Sequence, residues 1–321
     1  MPRVSVIIPM YGCADYIEET LQSVMDQSMT DWECIVVDDG SPDEAFAVAQ
    51  AYARHDPRFQ FIRQPNGGVS RARNRGADLA QAPYLFFLDA DDLLERKALL
   101  AMSTYLEAHP KVGLVACQFC RIDADGNPTH VKRGMNHRTR MAPGPWGLPR
   151  DLPASQFQTP FVTFFCGSGQ GANALYRRSV FEAVGRYDES FRSIHEDTDL
   201  FRRMALAAEV HYLPDVLQQY RYHPEAATQS YERGIRAAAQ LRAKWDQYTP
   251  STPEQQATLD AARSYYERVH RPLVHFKVSI LAAFECVEER SVEKARWSVR
   301  NFRLGLRLLL FGPAPQSDAS T

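Results

Sequence analysis

This sequence lacks an excess of charge of either sign. Its 37 Lys and Arg residues nearly balance its 39 Asp and Glu residues, which leaves the 321-residue chain with a formal net charge of −2. Proteins that bind nucleic acids without sequence specificity carry a broad positive field. We therefore expect no nucleic acid among the partners of this protein.

The sequence also lacks a long apolar segment. The apolar stretch at the amino terminus is short and is interrupted by Pro9, so we do not expect it to act as a secretion signal. The longest stretch without Asp, Glu, Lys, Arg or His runs from Leu152 to Tyr176, but several Pro, Gly, Gln and Ser residues interrupt it. These features predict a cytoplasmic protein without a transmembrane helix.

Cysteines are few and are not arranged as a metal site. The chain has six, and its one close pair, Cys117 and Cys120, lies in an apolar strand-like run without the second pair that zinc would need. Without a secretion signal, reduced thiols in the protein core are the expected state. Gly and Pro have ordinary frequencies and 45% of the residues are hydrophobic, which indicates a globular chain.

What the first hundred residues do contain is an alternation of strand-like and helix-like segments. Between the apolar runs lie amphipathic stretches whose starts carry capping signals, with Asp15 paired to Glu18 and Ser41 paired to Glu44. Such alternation predicts an α/β fold with a parallel sheet and with ligands beyond the carboxyl ends of its strands. Four runs are predicted strands: Val4 to Ile8, Trp32 to Val37, Phe59 to Arg63 and Tyr84 to Leu88.

Three polar clusters follow these predicted strands and should meet at one edge of the sheet. They are Pro9 to Gly12, Asp38 to Ser41 and Asp89 to Asp92. Paired carboxylates at strand ends suit a divalent cation or a nucleotide, because a hard cation prefers oxygen ligands and can bridge to phosphate. The alternative for the third cluster is that Asp92 caps a helix starting near Glu95, which would account for one carboxylate of the three.

Three further segments are ambiguous when each is taken alone. Asn66 to Asn74 places two glycines and two arginines at a helix start, which suits phosphate but also fits a plain loop-to-helix junction. His195 to Asp199 precedes an amphipathic run, where acidic residues are common because of the helix dipole. Tyr220 to Pro224 contains His223, and a single His is more often structural than a ligand.

The order of these segments along the chain is more specific than any one of them. IIPMYG is followed by VVDDGSPDE, NGGVSRARNRGA, FLDADD, GRYDESF with HEDTDLFRRM, and YRYHPEAATQS. Over roughly Val4 to Ser230 this series closely resembles the inverting family 2 glycosyltransferases of the GT-A fold. The resemblance implies an α/β architecture with a Rossmann-like, mainly parallel central sheet flanked by helices.

The resemblance also implies a division of the chain. Residues 1–230 would form the catalytic domain, with a nucleotide-sugar half at about 1–120 and an acceptor half at about 121–230. Residues 231–321 are not covered by the resemblance, and their pattern predicts a helical carboxyl-terminal region.

The resemblance implies a donor site for a nucleotide sugar, which we expect to be UDP-linked. In that site Tyr11 would stack on the base, and Asp39 would accept a hydrogen bond from it. The other implied donor contacts are Pro9 beside the base, Asp38 in support of the turn, Asp89 near the ribose, and either Arg71 or Arg73 near the phosphates or the sugar.

Catalytic roles are implied for three further residues. Asp91 would bind Mn²⁺ or Mg²⁺ on the diphosphate, and His223 would lie near the diphosphate or the metal. Asp197 would be the general base that deprotonates an acceptor hydroxyl as it attacks the anomeric carbon opposite the nucleotide, so the sugar would be inverted. The acceptor would be a glycan or a lipid-linked acceptor in cell-surface polysaccharide biosynthesis.

Two segments bear on the acceptor and on membranes. The stretch from Leu152 to Tyr176 contains Phe157, Phe161, Phe164 and Phe165, and is expected to be either an acceptor wall or lid or a buried core segment. Ser291 to Phe311 has four arginines at helical spacing between bulky apolar residues. That pattern favours a helix at an anionic membrane surface on the cytoplasmic side, with a helix packed on the catalytic domain as the alternative.

Two other functions remain open at this point. A nucleotidyltransferase also binds nucleotides and metal on an α/β sheet, although it would favour a glycine-rich first loop containing Lys, whereas the first loop here reads PMYG. A non-catalytic glycan-binding or scaffold protein of the same fold is the second alternative, and it would have no need for Asp39, Asp91 and Asp197 together.

Overall fold

The computed structural model describes residues 1–129, 156–157, 173–192, 194–223 and 231–265. The chain divides into two compact units, Met1–Tyr248 and Thr249–Thr321. The described part of the second unit contains a helix, Pro253–Tyr265. The candidate site residues all lie in the first unit.

The first unit alternates strands and helices as the sequence predicts. Its strands are β1 (Val4–Met10), β2 (Trp32–Asp38), β3 (Phe59–Arg63), β4 (Tyr84–Phe87), β5 (Leu93–Leu94), β6 (Val112–Ile122), β7 (Gln156–Phe157), β8 (Ala174–Arg177) and β9 (Glu209–Arg221). Its helices are α1 (Ile17–Met25), α2 (Ala45–Ala53), α3 (Val69–Leu79), α4 (Ala98–Ala108), α5 (Arg178–Ala183), α6 (Glu196–Ala207) and α7 (Tyr231–Asp246), and the helix of the second unit is α8.

The strands of the described residues form one sheet in the order β3-β2-β1-β4-β8-β6-β9-β5, with β7 paired to β9. The first four are parallel, which confirms the predicted parallel sheet over the first hundred residues. In the other half, β8 runs antiparallel to both of its neighbours, while β6 and β9 are parallel. The carboxyl ends of β2, β1 and β4 therefore lie side by side, as the polar clusters require.

Helices cover both faces of the sheet because its strands carry apolar side chains on both faces. On one face Val6 and Ile8 of β1 belong to the core that α1, α2 and α4 complete, and on the other face Ile7 packs with α3, α5 and α6. Gly76 lets α3 approach β1 closely, since a Cβ there would lie 2.3 Å from Ile7 Cγ2. Each fully buried Val or Ile side chain contributes about 1.5–3 kcal/mol to stability.

The predicted helix caps are wrong in detail. Helix α1 begins after Tyr16 rather than Asp15, and α2 begins after Glu44, with no side-chain capping hydrogen bond at either position. The Ser41 hydroxyl instead accepts a hydrogen bond from the backbone N–H of Gly12 at 3.1 Å. A capping pattern is local, whereas the neighbouring strand end offers a long-range partner that the sequence does not reveal.

The later helices and the buried thiols agree with the sequence pattern in the described residues. Helix α6 agrees with the helical pattern from Glu196 onward, and α7 and α8 agree with the helices expected after residue 229. Cys13, Cys34 and Cys117 are buried, as expected of core thiols, whereas Cys120 is only partly buried. The end of the uncharged stretch, Leu175 and Tyr176, is buried in β8, whereas Phe161, Phe164, Phe165 and the segment 291–311 lie outside the described residues.

Among the helices within the described ranges, none combines the length and the apolar character needed to cross a membrane.

Candidate active site

The turn after β2 is held by a buried carboxylate. Asp38 is fully buried, its Oδ1 accepts a hydrogen bond from the Ser41 backbone N–H at 3.0 Å, and its Oδ2 lies 2.9 Å from Arg63 Nε. These contacts fix the direction in which the chain leaves the strand. Because Ser41 also binds Gly12, the turns after β1 and β2 are joined at the same edge.

Asp39 ties this turn to the glycine-rich loop before α3. Its Oδ1 accepts hydrogen bonds from Gln64 Nε2 at 2.8 Å and from Gly67 N–H at 2.9 Å, and its Oδ2 accepts one from Gly68 N–H at 2.8 Å. Gly68 has φ +93°, a conformation that favours glycine, and a Cβ there would lie 3.0 Å from the Arg192 carbonyl oxygen. Within the described ranges, one donor reaches Oδ2, and a carboxylate oxygen can accept two hydrogen bonds, so a second acceptor position is left for a ligand.

Tyr11 presents an exposed aromatic ring at this edge. It follows β1 directly, and its side chain is 56% accessible. Pro9 lies buried in β1 and is paired in register with Val37 of β2. An exposed tyrosine ring beside two carboxylate-bearing turns offers a face on which a planar group can stack.

The acidic turn after β4 brings Asp91 together with His223. His223 Nε2 lies 3.0 Å from Asp91 Oδ2, although the two residues are 132 positions apart in the chain. Asp92 faces inward instead: it is fully buried and accepts hydrogen bonds from the Arg221 backbone N–H at 2.9 Å and from Gln218 Nε2 at 2.8 Å. The alternative in which Asp92 caps the next helix is therefore wrong, since α4 begins only at Ala98.

Arg73 bridges the turn after β4 to helix α6. Its guanidinium is almost completely buried, with Nη2 at 2.7 Å from Asp89 Oδ1 and Nη1 at 2.8 Å from Glu196 Oε1. The ring of Tyr187 lies 5.1 Å from the guanidinium carbon. Burial raises the pKa of Asp89 and of Glu196, and the positive charge of Arg73 opposes the rise in both cases.

Asp197 follows Glu196 in the first turn of α6. Its Oδ1 accepts hydrogen bonds from the Thr198 backbone N–H at 2.6 Å and from the Thr198 hydroxyl at 3.2 Å. Burial raises the pKa of the Asp197 carboxyl, the charge of Arg73 lowers it, and the nearby Asp89 carboxylate raises it further, so the net shift is upward. A carboxylate with a raised pKa is a stronger base than an ordinary surface Asp.

Arg71 differs from Arg73 although both lie in the first turns of α3. Its side chain is exposed, and its aliphatic part packs against Gly67, where a Cβ would lie 2.4 Å from Arg71 Cδ. In the described residues, Arg71 therefore leaves its positive charge accessible beside the loop that Asp39 holds. Arg73 is already committed to two carboxylates.

Within the described part of the chain, no three His, Cys, Asp or Glu side chains converge on a point where they could hold a metal ion. The nearest arrangement is the pair of Asp91 and His223, an oxygen and a nitrogen donor 3.0 Å apart. Both donor types are compatible with Mn²⁺, and an oxygen-rich ligand such as a diphosphate would complete the coordination. The donor set therefore fits a metal shared between the protein and its substrate.

Sequence reasoning missed two residues that organise this site. Glu196 lies in the HEDTD segment but was not distinguished from its acidic neighbours, and it forms half of the Arg73 bridge. Arg221 lies in the YRYH segment, two residues before His223, and contacts the backbone of the acidic turn. Both residues were visible in motifs, but nothing local in the sequence separates a buried ionic partner from an exposed one.

A sequence model of glycosyl transferase family 2 matches residues 5–185, which is more than half of the chain. The chain belongs to glycosyl transferase family 2. This membership favours a glycosyltransferase over the nucleotidyltransferase and the non-catalytic scaffold. The matched region includes the turns after β1, β2 and β4.

Curated relatives of this family 2 member agree with the assignment. The chain is 30% identical over 231 residues to the uncharacterized glycosyltransferase EpsJ of Bacillus subtilis (strain 168), covering 71% of this chain but only 64% of EpsJ. It is 35% identical over 130 residues to the chondroitin synthase of Escherichia coli, covering 40% of this chain and 18% of that protein. The chain thus spans less than two thirds of the length of these relatives.

Solved structures confirm the GT-A fold of this family 2 member. Residues 1–349 of TarS from S. aureus, in complex with UDP-GlcNAc, superimpose with a TM-score of 0.63 at 15% identity, covering 96% of this chain and 81% of that one. The mannosyltransferase PcManGT from Pyrobaculum calidifontis, in complex with GDP-Man and Mn²⁺, gives a TM-score of 0.63 at 20% identity, covering 98% and 88%. At these identities the likeness shows the fold.

Proposed function

We propose that the protein transfers a sugar, with inversion at the anomeric carbon, from a nucleotide-sugar donor to a hydroxyl group of a glycan or lipid-linked acceptor. One observation carries the proposal: Arg73 joins Asp89, at the carboxyl end of β4, to the first turn of the helix that carries Asp197. A donor-side carboxylate and a candidate base are thereby held at one site. The site is built for two substrates rather than one.

The donor half is assigned to the edge formed by the turns after β1, β2 and β4. Tyr11 stacks on the base, and Asp39 accepts a hydrogen bond from it through its remaining acceptor position. Asp89 contacts the ribose and Arg71, whose charge is accessible, contacts the phosphates or the sugar. The donor is proposed to be UDP-linked; TarS in complex with UDP-GlcNAc and PcManGT in complex with GDP-Man both support a nucleotide sugar, and they differ in the base.

The acceptor half supplies the base. Asp197 takes the proton from the acceptor hydroxyl as its oxygen forms a bond to the anomeric carbon and the bond from that carbon to the diphosphate breaks. Attack from the face opposite the leaving group inverts the configuration. The raised pKa of Asp197 supports this role, because a stronger base removes the hydroxyl proton more readily.

Asp91 and His223 are the residues that would hold a divalent cation, Mn²⁺ or Mg²⁺. A bound cation would supply Lewis-acid stabilisation of the negative charge on the departing diphosphate. The relative PcManGT, which is in complex with Mn²⁺, supports the type of ion. The inward position of Asp92 supports the assignment of Asp91 rather than its neighbour.

The acceptor is proposed to belong to a cell-surface polysaccharide, on the cytoplasmic side of the membrane. The similarity to a chondroitin synthase, an enzyme whose name refers to a polysaccharide, supports this class of acceptor. A peripheral membrane contact through residues 291–311 would bring the site near a lipid-linked acceptor, and rests on the arginine pattern of that segment.

The proposal is tested by incubating the full-length protein with Mn²⁺ and a panel of nucleotide sugars and measuring nucleotide diphosphate release. The wild-type protein should turn over at least one donor slowly with water as acceptor, and Asp197→Asn and Asp91→Asn should each lower that rate by at least about 100-fold. Asp215→Asn, at an exposed position of β9, is the matched control and should keep the wild-type rate. If no donor is bound or turned over with Mn²⁺, the proposal is wrong.

A further inference from the structure

Arg221 is the largest of the fully buried side chains in the described residues. It ends β9, two residues before His223, and its side chain is 0% accessible. Burying a guanidinium carries a desolvation penalty of several kcal/mol, which is offset only by well-placed partners. The partners that it has therefore indicate what the residue is for.

Most of these partners belong to the acidic turn or to the loop beside it. The Arg221 Nε donates to the carbonyl oxygen of Asp91 at 2.9 Å, and Nη1 donates to the carbonyl oxygen of Ala124 at 2.8 Å. The backbone N–H of Arg221 donates to Asp92 Oδ1 at 2.9 Å. Arg221 thus contacts the acidic turn through the main chain of Asp91 and the side chain of Asp92.

The positive charge of Arg221 is offset only weakly, whereas its hydrogen-bond donors are well paired. Glu19 is the carboxylate that pairs with Arg221, at 2.5 Å, and its own side chain is 57% exposed. Exposed partners contribute little to stability because solvent screens them. A rigid fork of donors is what a guanidinium offers here beyond its charge.

Arg221 also lies near His223, the other half of the Asp91–His223 pair. The side chains of Arg221 and His223 lie on the same side of the chain end, and the ring of Tyr16 contacts both, at 5.0 Å from the Arg221 guanidinium carbon and 4.9 Å from the His223 ring. Asp91 Oδ2 and His223 Nε2 lie 3.0 Å apart. Arg221 thus contacts the backbone of Asp91 and precedes His223 by two positions.

We propose that Arg221 is a positioning residue that fixes Asp91 and His223 at the spacing a divalent cation requires. This inference rests on the proposed role of that pair in binding Mn²⁺ or Mg²⁺. Arg221 itself touches neither the cation nor the substrate. Outer residues of this kind typically change metal affinity by about 10- to 100-fold when they are removed.

Electrostatics and positioning predict opposite changes in Mn²⁺ affinity when Arg221 is replaced, so the inference can be tested. Replacing Arg221 with Met removes a buried positive charge near the cation, which by Coulomb's law alone would strengthen Mn²⁺ binding. Loss of positioning would weaken it. Arg221→Lys keeps the charge but replaces the fork with a single ammonium group, so positioning predicts an affinity between those of the wild type and Arg221→Met.

The matched control is Arg177, in β8. Its side chain is partly buried and, like that of Arg221, donates to backbone carbonyl oxygens, to Val112 at 3.0 Å and to Leu106 at 2.8 Å, but these lie away from the acidic turn. Arg177→Met should lower the melting temperature, as Arg221→Met should, without changing the affinity for Mn²⁺. The comparison separates a general loss of stability from a loss of positioning.

The experiment measures free Mn²⁺ by electron paramagnetic resonance during titration of the full-length proteins, with Mn²⁺ alone and with Mn²⁺ and UDP. The expected result is an affinity at least about tenfold weaker for Arg221→Met, intermediate for Arg221→Lys and unchanged for Arg177→Met. The inference alone would be overturned if the wild type bound Mn²⁺ and Arg221→Met bound it equally well or more tightly. It would also be overturned if Arg177→Met lost as much affinity for Mn²⁺ as Arg221→Met. If the wild type binds no Mn²⁺ in either titration, the proposed metal role fails and the inference fails with it.

Discussion

Arg71 and Arg73 are two positions apart on α3, yet their side chains have different surroundings. Arg73 is 3% exposed and forms ion pairs with Asp89 and Glu196, whereas Arg71 is exposed. The sequence could place two arginines at a helix start but could not show that one would be buried in ion pairs and the other exposed. That distinction depends on carboxylates 16 and 123 positions away in the chain.

Removing Arg73 should therefore be costly. Arg73→Met leaves two carboxylates without their counter-charge, and breaking a buried ion pair of this kind costs about 3–5 kcal/mol. Arg71→Met, on the same helix, should change the free energy of unfolding by less than about 0.5 kcal/mol while weakening donor binding. Urea denaturation of both variants measures the difference, and equal stabilities would contradict the assignment of Arg73 as the bridge.

Asp197 leads to a prediction about pH. A general base acts only when it is deprotonated, and burial raises the pKa of this carboxyl above the ordinary Asp value of about 3.9. The rate should therefore fall, as the pH is lowered, at a higher pH than an ordinary Asp would give. A profile of kcat against pH checks this, and a rate that stays constant down to about pH 4 would contradict the role of Asp197.

Helix α7 stabilises the helix that carries the candidate base. Asp199 of α6 is fully buried, and α7 supplies two of its partners, Lys244 Nζ at 2.9 Å and Trp245 Nε1 at 3.1 Å. Lys244 also lies 2.6 Å from Asp188. The expected catalytic domain ended at residue 230, before α7, and these contacts make α7 part of the support for the site.

Lys244→Met should destabilise the protein by about 1.5–3 kcal/mol, because it removes hydrogen bonds to two carboxylates. Arg242→Met is the control on the same helix, since the ion pair of Arg242 with Asp246 is exposed and should contribute about 0.3–0.5 kcal/mol. Thermal unfolding compares the two. A Lys244 variant as stable as the Arg242 variant would show that α7 does not hold α6.

The stability lost in Lys244→Met should itself depend on pH. Partial burial alone would raise the pKa of Asp188, but the ion pair with Lys244 and hydrogen bonds from Ser190 lower it to about 2. A lowered pKa contributes stability above the ordinary value of about 3.9, and that contribution is lost as the pH falls toward 2. The difference between wild type and variant should shrink over that interval, and a difference that grew would contradict the assigned ion pair.

The elements that the sequence predicts well are those whose signal is local. The four apolar runs became β1 to β4, and their parallel pairing placed Pro9, Asp38 and Asp89 at neighbouring strand ends. The cap signals failed because Ser41 found a partner 29 residues away, at Gly12. Long-range partners of this kind are set by the tertiary fold, so composition and spacing do not reveal them.

For the whole molecule, the near-neutral charge conceals an uneven distribution. Ser291 to Phe311 contains five basic residues and one acidic residue, while acidic side chains gather at the site. A chain ending near Arg290 should therefore lose binding to vesicles that contain anionic lipid, with vesicles of neutral lipid as the control. Sedimentation measures the bound fraction, and a shortened chain that still binds anionic vesicles would contradict a membrane role for this segment.

The central claim is that Asp197 activates an oxygen nucleophile on the face opposite the nucleotide, and the configuration of the product tests it most directly. Hydrolysis of an α-linked nucleotide sugar needs no knowledge of the acceptor, because water takes the place of the acceptor hydroxyl. Proton NMR at early times, before mutarotation, should show the β-anomer of the released sugar with the wild type and little release with Asp197→Asn. Early appearance of the α-anomer would contradict inversion, and undiminished release by Asp197→Asn would contradict the assignment of the base.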